Sequence, residues 1–222
     1  MSICVLNAYS PAYAELAKLT THGNRQEYCY RHGYDLLTLT KTDSHGQFTW
    51  DRFKWVTSVL KSQDYEWIYC CGVDTLHTNL KIPLESFLDG HHHVVIASDW
   101  CAPVQADSFF VRSSPQGMSY MDAVLNHYSE DQSHPWVENQ SMIRELPNFK
   151  EIIKLVPQRA LNAYNYSLYE SVYPTESKVK SGLDYYGNDG RWQVGDFLIH
   201  WPGLSLSVRL KEVQKTMKLV IQ

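Results

Sequence analysis

The stretch Trp67-Ile68-Tyr69-Cys70-Cys71-Gly72-Val73-Asp74-Thr75-Leu76-His77-Thr78-Asn79 constrains this chain more than any other. It starts as an unbroken apolar run and ends abruptly in an acid, a hydroxyl, an imidazole and an amide. A short apolar run of this kind predicts a buried strand. In an open α/β sheet, ligands gather outside the carboxyl ends of the strands. Asp74 is therefore placed to meet a divalent metal or a sugar nucleotide; a plain strand followed by a capped turn accounts for the same residues without a ligand.

The rest of the chain alternates between strand and helix patterns. Strands are predicted at 2–8, 34–40, 66–71, 94–97, 108–112, 151–156 and 197–201. Helices are predicted over 12–32 (Ser10 as N-cap, Gly33 as stop), 50–60, 115–128 (opened by Pro115 after Ser114), 136–146 and 207–221, with a short helix or turn at 83–88. Residues 41–49 read as a loop. The alternation predicts an α/β fold with a mostly parallel central sheet flanked by helices. No linker, repeat or low-complexity tract divides residues 1–222, which are expected to form one domain. Residues 165–194, rich in Tyr, Gly, Asn and Ser, read as a long functional loop.

Composition excludes several classes. A net charge of −4 supplies no global field for nucleic acid. The five cysteines show no metal or disulfide spacing, so reduced thiols are expected. No apolar run approaches a membrane span and no secretory signal is evident, so a cytoplasmic protein is expected. There is no GxSxG, HExxH, P-loop or GxGxxG. With 15 Tyr and 7 Trp, the chain is well supplied with flat apolar faces bearing a polar edge, suited to cores, carbohydrates or nucleobases.

Four segments, in order, resemble those of glycosyltransferase family 34, which includes fungal galactosyl- and mannosyltransferases and plant xylosyltransferases. They are Asn24–Tyr28 with Arg31–Tyr34, Trp67–Asn79 (similar to "WIWWLDADALIMN"), Leu155–Tyr164 (similar to "VPQRALNSY") and Gly195–Gly203 (similar to "GDFVVHFAG"). The resemblance covers roughly residues 3–205. It implies a GT-A fold of the Rossmann-like, nucleotide-binding kind. It also implies a retaining transfer from a nucleotide-sugar donor, a UDP-sugar being favoured, with Mn²⁺ (or Mg²⁺) as cofactor. A hard cation with oxygen ligands suits the charge that builds on a departing diphosphate.

The resemblance also assigns residues. Asp74 and His200 match the metal ligands. The leading Asp of the family's DxD is replaced by Gly72, which removes a carboxylate near the ribose or the metal and leaves room for another group. Asn7, Ala8 and Tyr9 end the first strand, where the base and ribose are commonly cradled. Lys54 matches a helix position that could pair with phosphate, or is simply a solvated lysine. Gly203 closes the last matching segment on the donor side. Asp99 is a sugar-contacting acid in this scheme. Gln140 is the candidate for steadying oxocarbenium-like charge, with Glu138 or Asp99 as alternatives. The family's "NTGSF" is here Gln105-Ala106-Asp107-Ser108-Phe109, so that side of the site is rebuilt.

Other signals have plainer readings. His91-His92-His93 beside Asp89 reads as a solvated turn, His77 as a packing residue, and Cys70-Cys71 as strand core. Two functions follow from different classes: an active glycosyltransferase, or a nucleotide-sugar or glycan-binding protein that has lost catalysis, which Gly72 invites. The lack of an anchor suggests a bacterial, phage or other viral setting. The acceptor is then a surface glycan, a lipid-linked sugar, a protein hydroxyl or, as a minor alternative, a hydroxymethylated DNA base. The last needs a basic groove, and the nearest cluster (Arg209, Lys211, Lys215, Lys218) reads as a solvated helix face.

Overall fold

Trp67–Gly72 forms a strand that is buried along its whole length, and its two cysteines explain why. Cys70 faces a core layer with Leu6, Phe53, Ile68, Phe109 and Met142, whereas Cys71 faces a second layer with Val5, Tyr28, Tyr69, Phe110 and Phe197. Both faces of the sheet are covered, so the strand carries apolar residues in both pleats instead of alternating.

The computed structural model describes residues 1–40 and 48–222. Of the loop expected over 41–49, residues 41–47 lie outside the described residues, and 48 and 49 begin a helix. The strands are β1 (Ile3–Ala8), β2 (Asp35–Leu39), β3 (Trp67–Gly72), β4 (Thr75–His77), β5 (Val94–Ala97), β6 (Ser108–Arg112), β7 (Ile153–Val156) and β8 (Leu198–His200). The helices are α1 (Ala14–Leu19), α2 (Gln26–His32), α3 (Phe48–Ser62), α4 (Pro115–Asn126), α5 (Tyr128–Asp131), α6 (Val137–Phe149), α7 (Gln158–Leu161), α8 (Ser167–Glu170), α9 (Ser177–Ser181) and α10 (Leu206–Thr216). Six strands make one sheet in the order β2-β1-β3-β6-β5-β7. Only β6 runs antiparallel to its neighbours there. The fold is the expected α/β arrangement with a mostly parallel sheet. Among the described residues, no helix is long and apolar enough to cross a membrane.

Two departures from the sequence expectation bear on the site. The helix expected over 12–32 is interrupted by a π-helical segment, Thr20–Arg25, whose Thr20, Thr21, Asn24 and Arg25 are all buried. The widened turn aims these four polar side chains at the end of β1, the turn after β3 and the end of β4. Thr21 donates to Asn7 (2.7 Å), Thr20 to the Val73 carbonyl (2.7 Å), and Arg25 to the Thr75 hydroxyl (2.7 Å) and Gly72 carbonyl (3.0 Å). An α-helical stripe presents an apolar face at this point; here the face is polar because what it meets is backbone.

The second departure is the stretch 165–194, which is packed rather than loop-like. Tyr164, Tyr166, Tyr169 and Val179 form a small core of their own. Buried Asp184 organises the return by accepting from Ser98 Oγ (2.7 Å) and from the backbone N–H groups of Tyr186 (2.9 Å) and Asn188 (2.8 Å). Its core is built from tyrosines in and beside very short helices, so no helical or strand period shows in the sequence.

Helix α4 starts hard against the end of β6. Ser114 caps it by accepting from the Gly117 N–H, and a Cβ at Gly117 would stand 2.1 Å from the Arg112 carbonyl oxygen. Gly117→Ala must push the helix off the sheet. We expect a loss of about 2–4 kcal/mol, read as a lower urea midpoint at unchanged slope.

Candidate metal and donor site

Asp74 lies in the turn between β3 and β4, and two backbone pairings set what surrounds it. The small antiparallel sheet of β4 and β8 pairs Thr75 with His200, and the Trp201 N–H donates to the Asp74 carbonyl (3.1 Å). Asp74 and His200 are thereby neighbours although 126 positions separate them in the chain. The antiparallel pairing of β3 with β6 sets Cys71 opposite Ser108, and the Gly72 N–H donates to the Asp107 carbonyl (2.8 Å). That places Asp107 across from Gly72.

The outcome is a cluster of buried Asp74 and His200 with half-buried Asp107, whose ligand atoms lie within 4.8 Å of one another. His200 Nε2 is 3.4 Å from Asp74 Oδ1 and 3.3 Å from Asp107 Oδ2. It makes no hydrogen bond to either. The other ring nitrogen is committed: Asn162 donates its amide to the Ser98 carbonyl (3.1 Å) and accepts from His200 Nδ1 (2.6 Å) through its oxygen. With the proton on Nδ1, a neutral imidazole turns a bare nitrogen toward two carboxylates. One nitrogen and two oxygens converging in this way fit a divalent cation, and the Asn162 contact is the kind that orients a metal-binding histidine.

Gly72 has a steric reason. A Cβ there would meet Asp74 Oδ1 at 2.8 Å and Asp107 Cγ at 3.0 Å. The space left by the missing leading acid is filled by the carboxylate of Asp107, a residue the sequence reading noted as altered but did not place among the ligands. The reading of lost catalysis rested on Gly72, and its ground is weakened accordingly.

Two arginines complete the charge balance. Arg52, on α3, pairs with Asp107 and with Glu138 (3.0 Å). Arg209, on α10, reaches Asp74 Oδ2 (3.0 Å), donates to the Trp201 carbonyl (2.8 Å) and lies over the Tyr13 ring. Arg209 is only 8% exposed, which corrects the solvated-face reading; Lys211, Lys215 and Lys218 are exposed as expected. Burial alone would raise the Asp107 pKa, but Arg52 and His200 hold it well below the usual carboxylate range. Burial pulls His200 down, yet Asp74 and Asp107 outweigh it and lift the imidazole from 6.5 to about 9.

A cavity of about 450 Å³ opens beside this cluster. Ala8, Tyr9, Ser10, Tyr13 and Phe48 border its apolar part, and Arg52, Gly72, Asp74, Asp107 and Arg209 its charged part. The other expected residues lie elsewhere. Asn7 is a buried strut, donating to the Cys71 carbonyl and accepting from Thr21. Lys54 sits over Tyr128, 3.7 Å from Asp51, while Arg52 two residues earlier faces the cavity. Gly203 takes a left-handed turn (φ 70°) leading into α10. Glu138 is buried on Arg52, and burial raises its pKa; Gln140 on the same helix is half-buried. Asp99 is buried behind the cluster, accepting from Tyr164 (2.9 Å), with its pKa raised by burial. Neither Gln140, Glu138 nor Asp99 borders the cavity.

Known structures share this architecture. A glycosyltransferase involved in glycosylation of the major capsid of PBCV-1 superposes with a TM-score of 0.72 at 17% identity, over 97% of this chain and 100% of that one. The glycosyltransferase GlyE of Streptococcus pneumoniae TIGR4 superposes at 0.59 and 12% identity, over 100% of this chain and 65% of that one. The chain has a glycosyltransferase fold. Its sequence matches no protein-family model and no curated protein, so the four segments stand as a resemblance.

Two outcomes test the cluster. Gly72→Ala drives a methyl into both carboxylates and should lower Mn²⁺ affinity by about 10–100-fold in calorimetric titration. The second uses the His200 proton. Its folded-state pKa of about 9 exceeds the ordinary 6.5, so its contribution is full below 6.5 and is lost as pH rises through 9. Without metal, the melting temperature should fall across that window. A cation must displace the same proton, so the stabilisation conferred by Mn²⁺ should grow with pH over the same range; His200→Asn should remove both trends.

Proposed function

We propose that this protein is a metal-dependent glycosyltransferase taking its sugar from a nucleoside-diphosphate donor, UDP-sugars first. The observation that carries this is the cavity's polarity: tyrosine rings and the end of β1 on one side, the Asp74–Asp107–His200 cluster and two arginines on the other. A nucleoside diphosphate has the same division, with a flat base and a concentrated negative charge. Tyr9 and Tyr13 offer faces and edges to the base.

Asp74, Asp107 and His200 Nε2 would hold the cation, which supplies Lewis-acid charge against the departing diphosphate. Asn162 keeps the His200 lone pair turned inward. Arg209 and Arg52 place guanidinium groups on the phosphate side, where charge develops as the sugar leaves. Arg52 stays anchored on Glu138 and Arg209 on the Trp201 carbonyl, and their N–H groups now on Asp107 and Asp74 would be the ones to meet phosphate oxygens.

The cavity also bears on stereochemistry. Its only bordering carboxylates among the described residues are Asp74 and Asp107, both in the cluster. Carboxylates that hold a cation are not available as a base or a nucleophile. A retaining, same-face transfer, which the four-segment resemblance implies, needs neither: the acceptor hydroxyl attacks as the diphosphate leaves and its proton passes to the departing phosphate oxygen.

The test is turnover of a panel of UDP- and GDP-sugars with Mn²⁺, followed by release of nucleotide. Wild type should slowly hydrolyse at least one donor, and Asp74→Asn and Asp107→Asn should each reduce the rate about 100-fold or more. Nucleotide binding that ignores Mn²⁺, together with no release from any donor, would remove the transferase reading.

A further inference from the structure

The carboxyl ends of the parallel strands form one edge, along which chemistry changes in order. The nucleotide-shaped cavity lies at β1 and β3, the acidic cluster at β3, β6 and β8, and beyond it β5 and β7 end in Ser98-Asp99-Trp100 and Pro157. The packed excursion 165–194 covers this far end and sets aromatic rings on its surface. Tyr173, Tyr185 and Tyr186 are 39%, 45% and 51% exposed. Exposed tyrosines are expected singly; a group of them held in place is not.

The structure does hold them. The Tyr185 N–H donates to the Asp99 carbonyl (2.7 Å), and Lys178 both donates to the Tyr185 carbonyl (2.7 Å) and sits 4.6 Å from its ring. Tyr186 packs edge-on against Tyr185 at 5.1 Å and borders a groove of about 160 Å³ with Ser98, Leu155 and Val156. Trp100 meets Tyr173 at 5.2 Å. The platform joins the cluster through two side chains: Asp99 accepts from Tyr164, whose ring stands 5.7 Å from His200.

We propose that Trp100, Tyr173, Tyr185 and Tyr186 form the acceptor platform, and that the acceptor is an oligosaccharide. This rests on the transferase reading and names its second substrate. Flat rings with hydroxyl edges suit pyranose faces and their hydroxyls. The surroundings are not those of a nucleic-acid groove. Residues 165–194 carry four acids (Glu170, Glu176, Asp184, Asp189) against three bases (Lys178, Lys180, Arg191), so they offer no net attraction to a phosphate backbone.

The probe is a printed array of α- and β-linked hexose and pentose oligosaccharides, with single-stranded oligonucleotides as a second arm. The full chain should retain at least one oligosaccharide. The Tyr185→Ala/Tyr186→Ala double variant should bind it about tenfold or more weakly, whereas Tyr185→Phe/Tyr186→Phe should keep most of the affinity. UDP affinity in the presence of Mn²⁺ should be equal in all three proteins, which shows that the fold and donor side are intact. The proposal falls if no oligosaccharide is retained, if the alanine variant binds as well as wild type, or if oligonucleotides are captured instead. Failure of wild type to bind UDP with Mn²⁺ would count against the transferase reading and not against the platform.

Discussion

Two like charges held side by side in a buried place are the constraint on which this structure turns. Asp74 and Asp107 both lie within reach of His200 Nε2, and repulsion between carboxylates at such separation is large once water is removed. The fold answers with a cation for each: Arg209 on Asp74 and Arg52 on Asp107, with the shared imidazole between. Each cation comes from a different element, α10, α3 and β8, so the charges are met only when those elements have docked. A site of this kind selects the correct assembly of the whole sheet edge, because any slip strands a buried carboxylate without its partner.

Behind the acidic cluster lies a scaffold of hydrogen bonds that holds the backbone turn. Arg25, Thr20 and Thr21 of the π-helical segment grip Gly72, Val73, Thr75 and Asn7, and Asn24 exchanges two bonds with the His77 backbone. The turn has no room for a side chain at position 72, since a Cβ there would run into both carboxylates. Rigidity here has a chemical use. Ligand atoms fixed within a few tenths of an ångström discriminate among cations and lose little on binding one.

Most strands and helices were legible because their signals are local. Val94–Ala97 and Ser108–Arg112 appear with their expected bounds, and Pro115 after Ser114 opens α4 as the cap chemistry requires. Features that depend on distant partners were not legible. The π-helical interruption answers a turn some fifty residues away. Arg52 and Lys54 are both cationic and sit on one helix, and only the docking of α3 decides that Arg52 faces the cavity. Arg209 looked like one basic residue of four on a surface helix, and its burial follows from how α10 packs over Trp201 and Tyr13. A buried tyrosine core hides 165–194 from any test of periodicity.

Positions 72 and 107 carry the general point. The pattern that this sequence resembles has an acid at the first and a glycine at the second; this chain has Gly72 and Asp107. Read along the chain, these are two separate losses. Read across the pairing of β3 with β6, they are one exchange, since the residues lie opposite each other and only one side chain fits between them. In this chain the carboxylate beside Asp74 and His200 comes from the β6 side of that pairing. What the chemistry requires is a position in space and the charge that occupies it. A motif search tracks the order of letters instead, so a chain can keep the fold of known glycosyltransferases at 17% identity and match no family model.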